Sequence, residues 1–317
     1  MTDFSDVKTI KRINDIPGDE REFFVSGHRL CAGCAVPQLV RIALKAIPDP
    51  KIVVNATSCL EVASTIYPYT SWKVPWVHNA FENAAATASG IEAAFRILEK
   101  KYGKKRPHIV VFGGDGSSFD IGLQSISGAL ERGHDFVYIC YDNEAYMNTG
   151  IQRSGATPRG AATTTSPAGK VIPGKPERKK DFIGIAVAHG IKYAATINPA
   201  YPVDMYNKIK KADAVDGPAV LHYFNTCPTG WHSDPALGIQ IARLAVQTRV
   251  WPLYEVIDGK YKINMMIKNP KPIEEYLKLQ GRFRHLLKPE NKWMLDLLKK
   301  DVEDQWNKLL ELAGVKE

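Results

Sequence analysis

The sequence predicts an α/β protein built on a doubly wound, mostly parallel β-sheet with a helical C-terminal extension. Three apolar runs, at 52–54, 108–112 and 136–141, have the length and the turn-rich surroundings of buried strands. A single helical segment, 121–132, separates the last two runs. Connections this short imply a right-handed βαβ crossover, so we expect the strands to be parallel.

The other elements are predicted in order along the chain. Residues 1–26 are polar and irregular, and an Ala-rich helix is predicted at 79–100. The stretch 143–180 lacks sustained periodicity, which is typical of a functional or a disordered loop. Later elements are expected at 182–188, 204–211, 219–224, 236–249, 254–263 (a short strand or turn), 273–287 and 291–313. We therefore predict one domain, 1–235, and a helical extension, 236–317, that packs on this domain or on a partner subunit.

Composition and charge exclude several classes of protein. The chain has 317 residues, of which 44% are hydrophobic and 24% charged, as in ordinary globular proteins. It contains neither an apolar run of membrane-spanning length nor an apolar N-terminal leader, so we predict a cytoplasmic protein that does not enter a membrane. The net charge of +8 is densest at 100–106 and 175–180. These stretches are either solvated faces or a docking surface for an acidic protein, and no nucleic-acid-binding module is recognisable.

Five cysteines suggest a metal site rather than disulfides. Their number is odd and no export signal is evident. Cys31 and Cys34 form a CxxC pair, while Cys59 and Cys227 each follow a predicted strand. Because the carboxyl ends of parallel strands share one sheet edge, the four thiols could converge there. Their spacing leaves open an iron–sulfur cluster, a zinc ion or unrelated thiols, whereas Cys140 lies within a strand and is predicted to be a buried apolar residue.

A Gly-Asp-Gly turn predicts a second site at the same sheet edge. Asp115 follows the strand at 108–112, and Asn143 follows the next strand, 28 residues later. The glycines permit close approach of backbone amides to phosphate oxygens, and Asp115 offers a hard oxygen ligand to Mg²⁺. An isolated Gly-Asp-Gly is often an ordinary turn, with Asn143 as a cap. The pairing of the two halves favours a diphosphate bound through Mg²⁺.

Several longer strings resemble one known family over nearly the whole chain. Gly114-Asp-Gly with the downstream Asn143 resembles the thiamine diphosphate motif. The strings GHRLCAGC (27–34), YPYTSWKVPW (67–76), QRSGATP (152–158) and CPTGW (227–231) resemble the β subunits of pyruvate:ferredoxin oxidoreductase, within the 2-oxoacid:ferredoxin oxidoreductase family. Many members resemble GDGGTYDIG where this chain has GDGSSFDIG at 114–122, so Ser118 and Phe119 are expected to lie near enough to the cofactor to affect the choice of substrate.

The resemblance implies a thiamine diphosphate-binding fold and a set of site residues. One [4Fe–4S] cluster would be ligated by Cys31, Cys34, Cys59 and Cys227. Mg²⁺ would be held by Asp115, the side chain of Asn143 and the carbonyl of Ala145. The cofactor-binding residues would be Gly114, Asp115, Gly116, Ser117, Asn143, Ala145, Tyr146, Asn148 and Cys59. Asn148 would also be a possible substrate contact.

The implied activity is the oxidative decarboxylation of a 2-oxoacid, most simply pyruvate, to acetyl-CoA and CO₂. Electrons would pass through the cluster to ferredoxin or a ferredoxin-like subunit, and coenzyme A would take the acyl group. The partners would be an α subunit and other subunits, which would supply the glutamate that activates the cofactor ring. No catalytic residue is therefore assigned in this chain, and substitution of Glu82 or Glu144 should be far milder than loss of the partner.

Two other substrates and two other classes of protein are alternatives to a pyruvate:ferredoxin oxidoreductase subunit. Oxalate, which would need no coenzyme A, and a branched-chain 2-oxoacid are the alternative substrates. A thiamine-dependent decarboxylase without a cluster would leave the four cysteines unexplained. A zinc-bearing structural protein would leave the pairing of Asp115 with Asn143 unexplained.

Overall fold

The computed structural model describes residues 2–316, except for the side chain of Asp19. Residue 1 of the predicted domain 1–235 and residue 317 of the predicted extension 236–317 lie outside the described residues. The centre of the fold is one eight-stranded sheet with the order β2-β1-β3-β4-β6-β5-β7-β8. The strands are β1 Lys51–Ala56, β2 Trp76–Asn79, β3 His108–Gly114, β4 Val137–Asp142, β5 Tyr193–Ile197, β6 Ala219–Phe224, β7 Tyr254–Ile257 and β8 Lys260–Ile263. The first six strands in this order are parallel to one another. Strand β7 is antiparallel to its neighbour β5, and β8 is antiparallel to β7. The predicted α/β fold with a mostly parallel sheet is confirmed.

Helices connect and cover the strands. They are α1 Val36–Ala46, α2 Cys59–Ser64, α3 Ala84–Tyr102, α4 Leu123–Glu131, α5 Phe182–Val187, α6 Pro202–Ala214, α7 Pro228–Trp231, α8 Gly238–Gln247, α9 Ile273–Leu277 and α10 Lys292–Ala313. Helix α3 begins five residues later than predicted, because the preceding residues form the edge strand β2 and a turn. The elements α1, α2, α7, β2 and β5 were not predicted.

The two faces of the sheet carry separate apolar cores, as a doubly wound fold requires. Val53 and Val110 project toward α1 and α6 on one face. Their neighbours Val54 and Val111 project toward α3, α4 and α5 on the other. This alternation follows from the two-residue period of a strand, and burial on both faces explains why these strands are continuous apolar runs.

The segment 236–317 is mostly helical, and it also completes the sheet. Strand β7 pairs with β5, and the tight connection to β8 forms an antiparallel hairpin. Trp306 of α10 is fully buried in the same apolar core as residues of α3 and α4. Across residues 2–316, no helix combines the length and the apolar character needed to cross a membrane.

The irregular stretch 143–180 is fixed by hydrogen bonds rather than by helices or strands. Ser154 Oγ donates to Asp115 Oδ2 (2.5 Å), and the N–H of Gly155 donates to Asp120 Oδ2 (2.9 Å). Thr157 Oγ1 donates to the carbonyl of Glu144 (2.6 Å). The loop therefore folds back onto the carboxyl ends of β3 and β4, where the predicted cofactor residues lie.

Candidate cofactor site

The ends of β3 and β4 bring the predicted Mg²⁺ ligands together. Gly114 is in register with Tyr141, so Asp115 and Asn143 leave adjacent strands at the same edge. Asp115 is 2% exposed and Asn143 5%. One terminal atom of the Asn143 amide faces the Ala145 carbonyl oxygen at 2.7 Å and Asp115 Oδ1 at 3.1 Å.

The orientation of that amide depends on what occupies the site. Without a cation, the nitrogen of Asn143 faces Ala145 and Asp115 and donates a hydrogen bond to each oxygen. Rotating the amide by about 180° places its oxygen at the same point. Carboxylate, amide and carbonyl oxygens then converge, and these are the ligand types that Mg²⁺ prefers. The residues present therefore fit a hard divalent cation.

The charge of Asp115 depends on the same cation. Burial, followed by the nearby charge of Asp142, raises the pKa of Asp115 well above its ordinary value. The hydrogen bond from Ser154 opposes this shift only in part. A bound divalent cation is the largest local charge in such a site and would favour the ionised carboxylate.

The turn after β3 continues as a π-helical segment, Gly116–Asp120. A Cβ atom on Gly116 would lie 2.3 Å from the Tyr146 ring, so no larger residue fits without moving that ring. Ser117 Oγ donates to the Gly114 carbonyl at 2.9 Å, so its hydroxyl already has an intramolecular partner. Any contact of Ser117 with a diphosphate would therefore fall mainly to its backbone.

The side chains of Ser118 and Phe119, which were expected to lie near the cofactor, do not line the candidate cofactor cavity. Ser118 Oγ donates to the Gly114 carbonyl (2.7 Å) and lies 3.0 Å from the Tyr138 hydroxyl. Phe119 is fully buried and stacks on Phe182 with ring centroids 4.9 Å apart. The helical turn directs both side chains into the core.

A small cavity of about 40 Å³ opens above the turn. The predicted residues that line it are Cys59, Gly114, Asp115, Gly116, Asn143, Ala145, Tyr146 and Asn148. Ser58, Phe81, Tyr141, Met147 and Thr149 also line it and were not predicted, while Ser117 does not. The aromatic wall is fixed, because the Tyr146 hydroxyl donates to Asp120 Oδ2 (2.9 Å) and its ring stacks on Phe81.

The four cysteines proposed as cluster ligands share one neighbourhood. Burial, followed by the charges of the other thiols, raises the pKa of Cys59 to about 12. Burial likewise raises the pKa of Cys34 to about 12, with smaller contributions from Cys227 and Cys31. Among residues 2–316, no three His, Cys, Asp or Glu side chains already stand as a group that could hold one metal ion. Cys140 is fully buried in the α3–α4 core, as predicted.

Glycine allows the CxxC loop to reach the segment after Cys227. Gly33 has φ +77°, and a Cβ atom there would lie 2.4 Å from the carbonyl oxygen of Pro235. Thr226 Oγ1 donates weakly to the Gly33 carbonyl (3.5 Å). Segments about 200 residues apart in sequence are thereby packed together at the sheet edge.

The two basic stretches have different positions. Lys100–Arg106 precedes β3 and so lies at the amino ends of the strands, roughly 20 Å from the candidate site for a seven-residue strand. The 175–180 stretch is largely exposed, as expected for a solvated face, although several of its charged side chains have intramolecular partners. Lys175 is 1% exposed, Arg178 pairs with Asp301, and Lys180 pairs with Asp120.

A network of charged side chains around Asp142 and Glu144 was not predicted from the sequence. Lys179 Nζ lies 2.6 Å from Asp142 Oδ2, and His222 Nε2 lies 2.7 Å from the same oxygen. Although burial opposes it, Lys179 and His222 hold the pKa of Asp142 below its ordinary value. Glu144 is paired with Lys179 (2.9 Å) and Arg282 (2.5 Å). No motif or periodicity links these positions, so the sequence carried no signal for them.

Comparison with known proteins identifies the family. Residues 55–223 match the model of the thiamine pyrophosphate enzyme C-terminal TPP-binding domain. The chain is 54% identical to pyruvate synthase subunit PorB of Methanocaldococcus jannaschii, over 84% of this chain and 90% of that protein. It is 47% identical to PorB of Thermotoga maritima (94% of each chain) and 47% identical to ketoisovalerate oxidoreductase subunit VorB of Pyrococcus abyssi (96% and 97%).

A solved structure shows the same fold. The 2-oxoglutarate:ferredoxin oxidoreductase from Magnetococcus marinus aligns with a TM-score of 0.55 at 22% identity, over 70% of this chain and 79% of that one. The matched TPP-binding domain contains both Asp115 and Asn143, whose oxygen-bearing groups meet at the sheet edge. The chain belongs to the thiamine diphosphate-dependent 2-oxoacid:ferredoxin oxidoreductase family, among the β subunits of pyruvate:ferredoxin oxidoreductase.

Proposed function

We propose that this chain is the cofactor-binding subunit of a complex that oxidatively decarboxylates pyruvate to acetyl-CoA and CO₂. The observation that carries the proposal is the meeting of the Asp115 carboxylate, the Asn143 amide and the Ala145 carbonyl at the ends of two parallel strands. The relatives named pyruvate synthase subunit PorB support pyruvate as the substrate. Electrons would leave through a [4Fe–4S] cluster toward ferredoxin or a ferredoxin-like subunit.

The residues of this chain would hold the cofactor rather than perform acid–base chemistry. Asp115, Asn143 and Ala145 would bind Mg²⁺, while Gly114, Gly116 and Ser117 would approach the diphosphate through their backbone. When bound, thiamine diphosphate supplies an electron sink for the carbanion left by decarboxylation. Tyr146 and Asn148 would limit the space around the reacting groups, and Asn148 would be a substrate contact.

The four neighbouring thiols support a cluster more than a single zinc ion. The charges of Cys31, Cys34 and Cys227 all contribute to the raised pKa of Cys59, yet within residues 2–316 these thiols do not form a group that could hold one ion. Ligands of a cubane bind four different irons and therefore stand farther apart than the ligands of one zinc. Burial raises the pKa of Cys34, Cys59 and Cys227, so the positive charge of iron would be needed to stabilise their thiolates.

A branched-chain 2-oxoacid is the second candidate substrate. The VorB relative of Pyrococcus abyssi is as similar to this chain as the PorB relative of Thermotoga maritima, at 47% identity each. Overall identity therefore does not separate the two substrates. Ser118 and Phe119 are buried and do not line the cofactor cavity, so they support neither substrate over the other.

The site is proposed to be completed by a partner. The cavity of about 40 Å³ is much smaller than the roughly 300 Å³ or more of a typical ligand pocket, so other walls are required. No glutamate lines it among the described residues. An α subunit would supply the activating glutamate, and further subunits would accept the electrons and present coenzyme A.

A substrate panel on the purified complex tests the proposal. Reduction of viologen or ferredoxin is followed with pyruvate, 2-oxoisovalerate, 2-oxoglutarate and oxalate, each with and without coenzyme A. We expect the highest kcat/KM with pyruvate and a requirement for coenzyme A. Preference for 2-oxoisovalerate would establish the second candidate. Turnover of oxalate without coenzyme A would overturn both, and absence of thiamine diphosphate from the active complex would overturn the function itself.

A further inference from the structure

Glu144 lies between two of the proposed Mg²⁺ ligands and has an unusual backbone conformation. Its φ is +68°, a left-handed value that residues other than glycine rarely adopt. A change of backbone direction at this residue determines where the Asn143 side chain and the Ala145 carbonyl point. Left-handed conformations of this kind persist only when the surroundings hold them in place.

Both the backbone and the side chain of Glu144 are held. The residue is 1% exposed. Its N–H donates to Asp142 Oδ1 (2.9 Å), and its carbonyl accepts from Thr157 Oγ1 (2.6 Å). Its carboxylate accepts from Lys179 Nζ at 2.9 Å and from Arg282 Nη2 at 2.5 Å. Because buried charges paired in this way are costly to separate, the position of the Glu144 carboxylate is fixed.

The ion pair between Glu144 and Arg282 is connected to Asn143 through Trp231. Arg282 is 3% exposed, and its Nε and Nη2 donate to Gln280 Oε1 at 3.0 and 2.8 Å. The Arg282 guanidinium lies 4.0 Å from the centre of the Trp231 ring. Trp231 Nε1 donates to the carbonyl of Asn143 (2.8 Å). One buried assembly therefore fixes the backbone of residues 143 and 144 together.

We propose that Glu144 is a positioning residue whose carboxylate, held by Arg282 and Lys179, fixes the turn that presents Asn143 and Ala145 to one cation. Glu144 does not line the cofactor cavity, so the proposed effect is exerted through Asn143 and Ala145. This inference rests on the proposed function, because it assumes that the cation is bound there. It is compatible with the expectation that substitution of Glu144 is far milder than loss of the partner subunit.

The test uses the assembled complex stripped of Mg²⁺ and thiamine diphosphate. Thiamine diphosphate binding is titrated with Mg²⁺ by calorimetry in the wild type, Glu144→Ala and Glu144→Gln, and the Tm of each cofactor-free complex is recorded. Loss of a residue that orients metal ligands typically lowers metal affinity about 10- to 100-fold, so we expect Glu144→Ala to raise the Mg²⁺ half-saturation by that factor. Glu144→Gln keeps an oxygen acceptor for Arg282 and should recover part of the loss.

Glu255 provides a matched control. It is a fully buried glutamate on β7, paired with Lys211 (2.7 Å) and hydrogen-bonded by the Tyr193 hydroxyl (3.0 Å). Glu255→Ala should lower the Tm of the cofactor-free complex as Glu144→Ala does, but leave the Mg²⁺ half-saturation unchanged. If Glu144→Ala does not fold, the double variant Glu144→Ala/Arg282→Met avoids an unpaired buried cation and takes its place.

The outcomes separate this inference from the proposed function. A Mg²⁺ half-saturation in the folded Glu144 variants equal to that of the wild type would overturn the positioning role. Asp115→Ala distinguishes the two levels, because it removes a proposed ligand directly. If Asp115→Ala also leaves the half-saturation unchanged, the proposed Mg²⁺ site itself is wrong.

Discussion

The five cysteines differ in position, and this determines which of them can share a site. Cys140 lies within β4 and is fully buried on the face covered by α3 and α4. Cys59 begins α2, directly beyond the carboxyl end of β1, and Cys227 precedes α7, beyond the end of β6. The electrostatic influence of Cys31 and Cys227 on Cys34 places these thiols close together. Cys140 is not among the main contributors to the pKa of Cys34, Cys59 or Cys227.

A pair of cysteine substitutions should therefore have opposite effects on the cluster. Cys227→Ala removes one of four ligands and should lose or severely deplete the iron, whereas Cys140→Ala should retain it with only a modest fall in Tm. Iron and sulfide are counted in both purified complexes. Equal depletion in the two variants would show that the ligand set is wrong.

At the scale of elements, the π-helical turn Gly116–Asp120 determines which side chains face the candidate cofactor cavity. It turns Ser118 and Phe119 into the core while Gly116 remains at the cavity. Periodicity of the sequence does not show this, because an α-helical and a π-helical start differ in the direction of each side chain without any difference in composition.

Two substitutions test the placement of these side chains. Phe119→Leu removes a core contact and should destabilise the fold by less than the 3–5 kcal/mol typical of Phe→Ala, with no change in the ratio of kcat/KM for pyruvate and 2-oxoisovalerate. Asn148→Ala changes a residue that lines the cavity and should raise KM. The measurement is steady-state kinetics with both substrates. A changed ratio in Phe119→Leu would mean that this ring affects the substrate site after all.

The elements also differ in how clearly the sequence predicts them. β3 and β4 were predicted because they are buried on both faces and are therefore continuous apolar runs, and the ends of such strands located Asp115 and Asn143. β2 has four partly exposed residues at the sheet edge, and β5 is rich in Ala, so neither stands out. Lys179 and Arg282, the ion-pair partners of Glu144, lie far from it in the chain, and only the tertiary structure brings them together.

At the scale of the whole molecule, the exposed cofactor cavity predicts that the chain is inactive alone. A general base or a ring-activating carboxylate must lie within hydrogen-bonding distance of its target. Among the described residues no glutamate or histidine lines the cavity, and its one carboxylate, Asp115, is the proposed Mg²⁺ ligand. The isolated chain loaded with both cofactors should not reduce viologen with pyruvate, and addition of the partner subunits should restore the activity. Sustained turnover by the isolated chain would show that the acid–base group belongs to this subunit.

The β7–β8 hairpin has a consequence for how the chain can be divided. Strand β5 would be an edge strand without β7, and its unpaired N–H and C=O groups could then pair with another molecule. Truncation after residue 235 also removes α10, which covers the apolar face through Trp306. We expect the truncated chain to aggregate on expression, as judged by size-exclusion chromatography, while loss of residues 2–9 alone should leave a monodisperse product. The C-terminal region is therefore not an interchangeable module, and chimeras between related subunits should be joined elsewhere, in surface loops that leave the sheet intact.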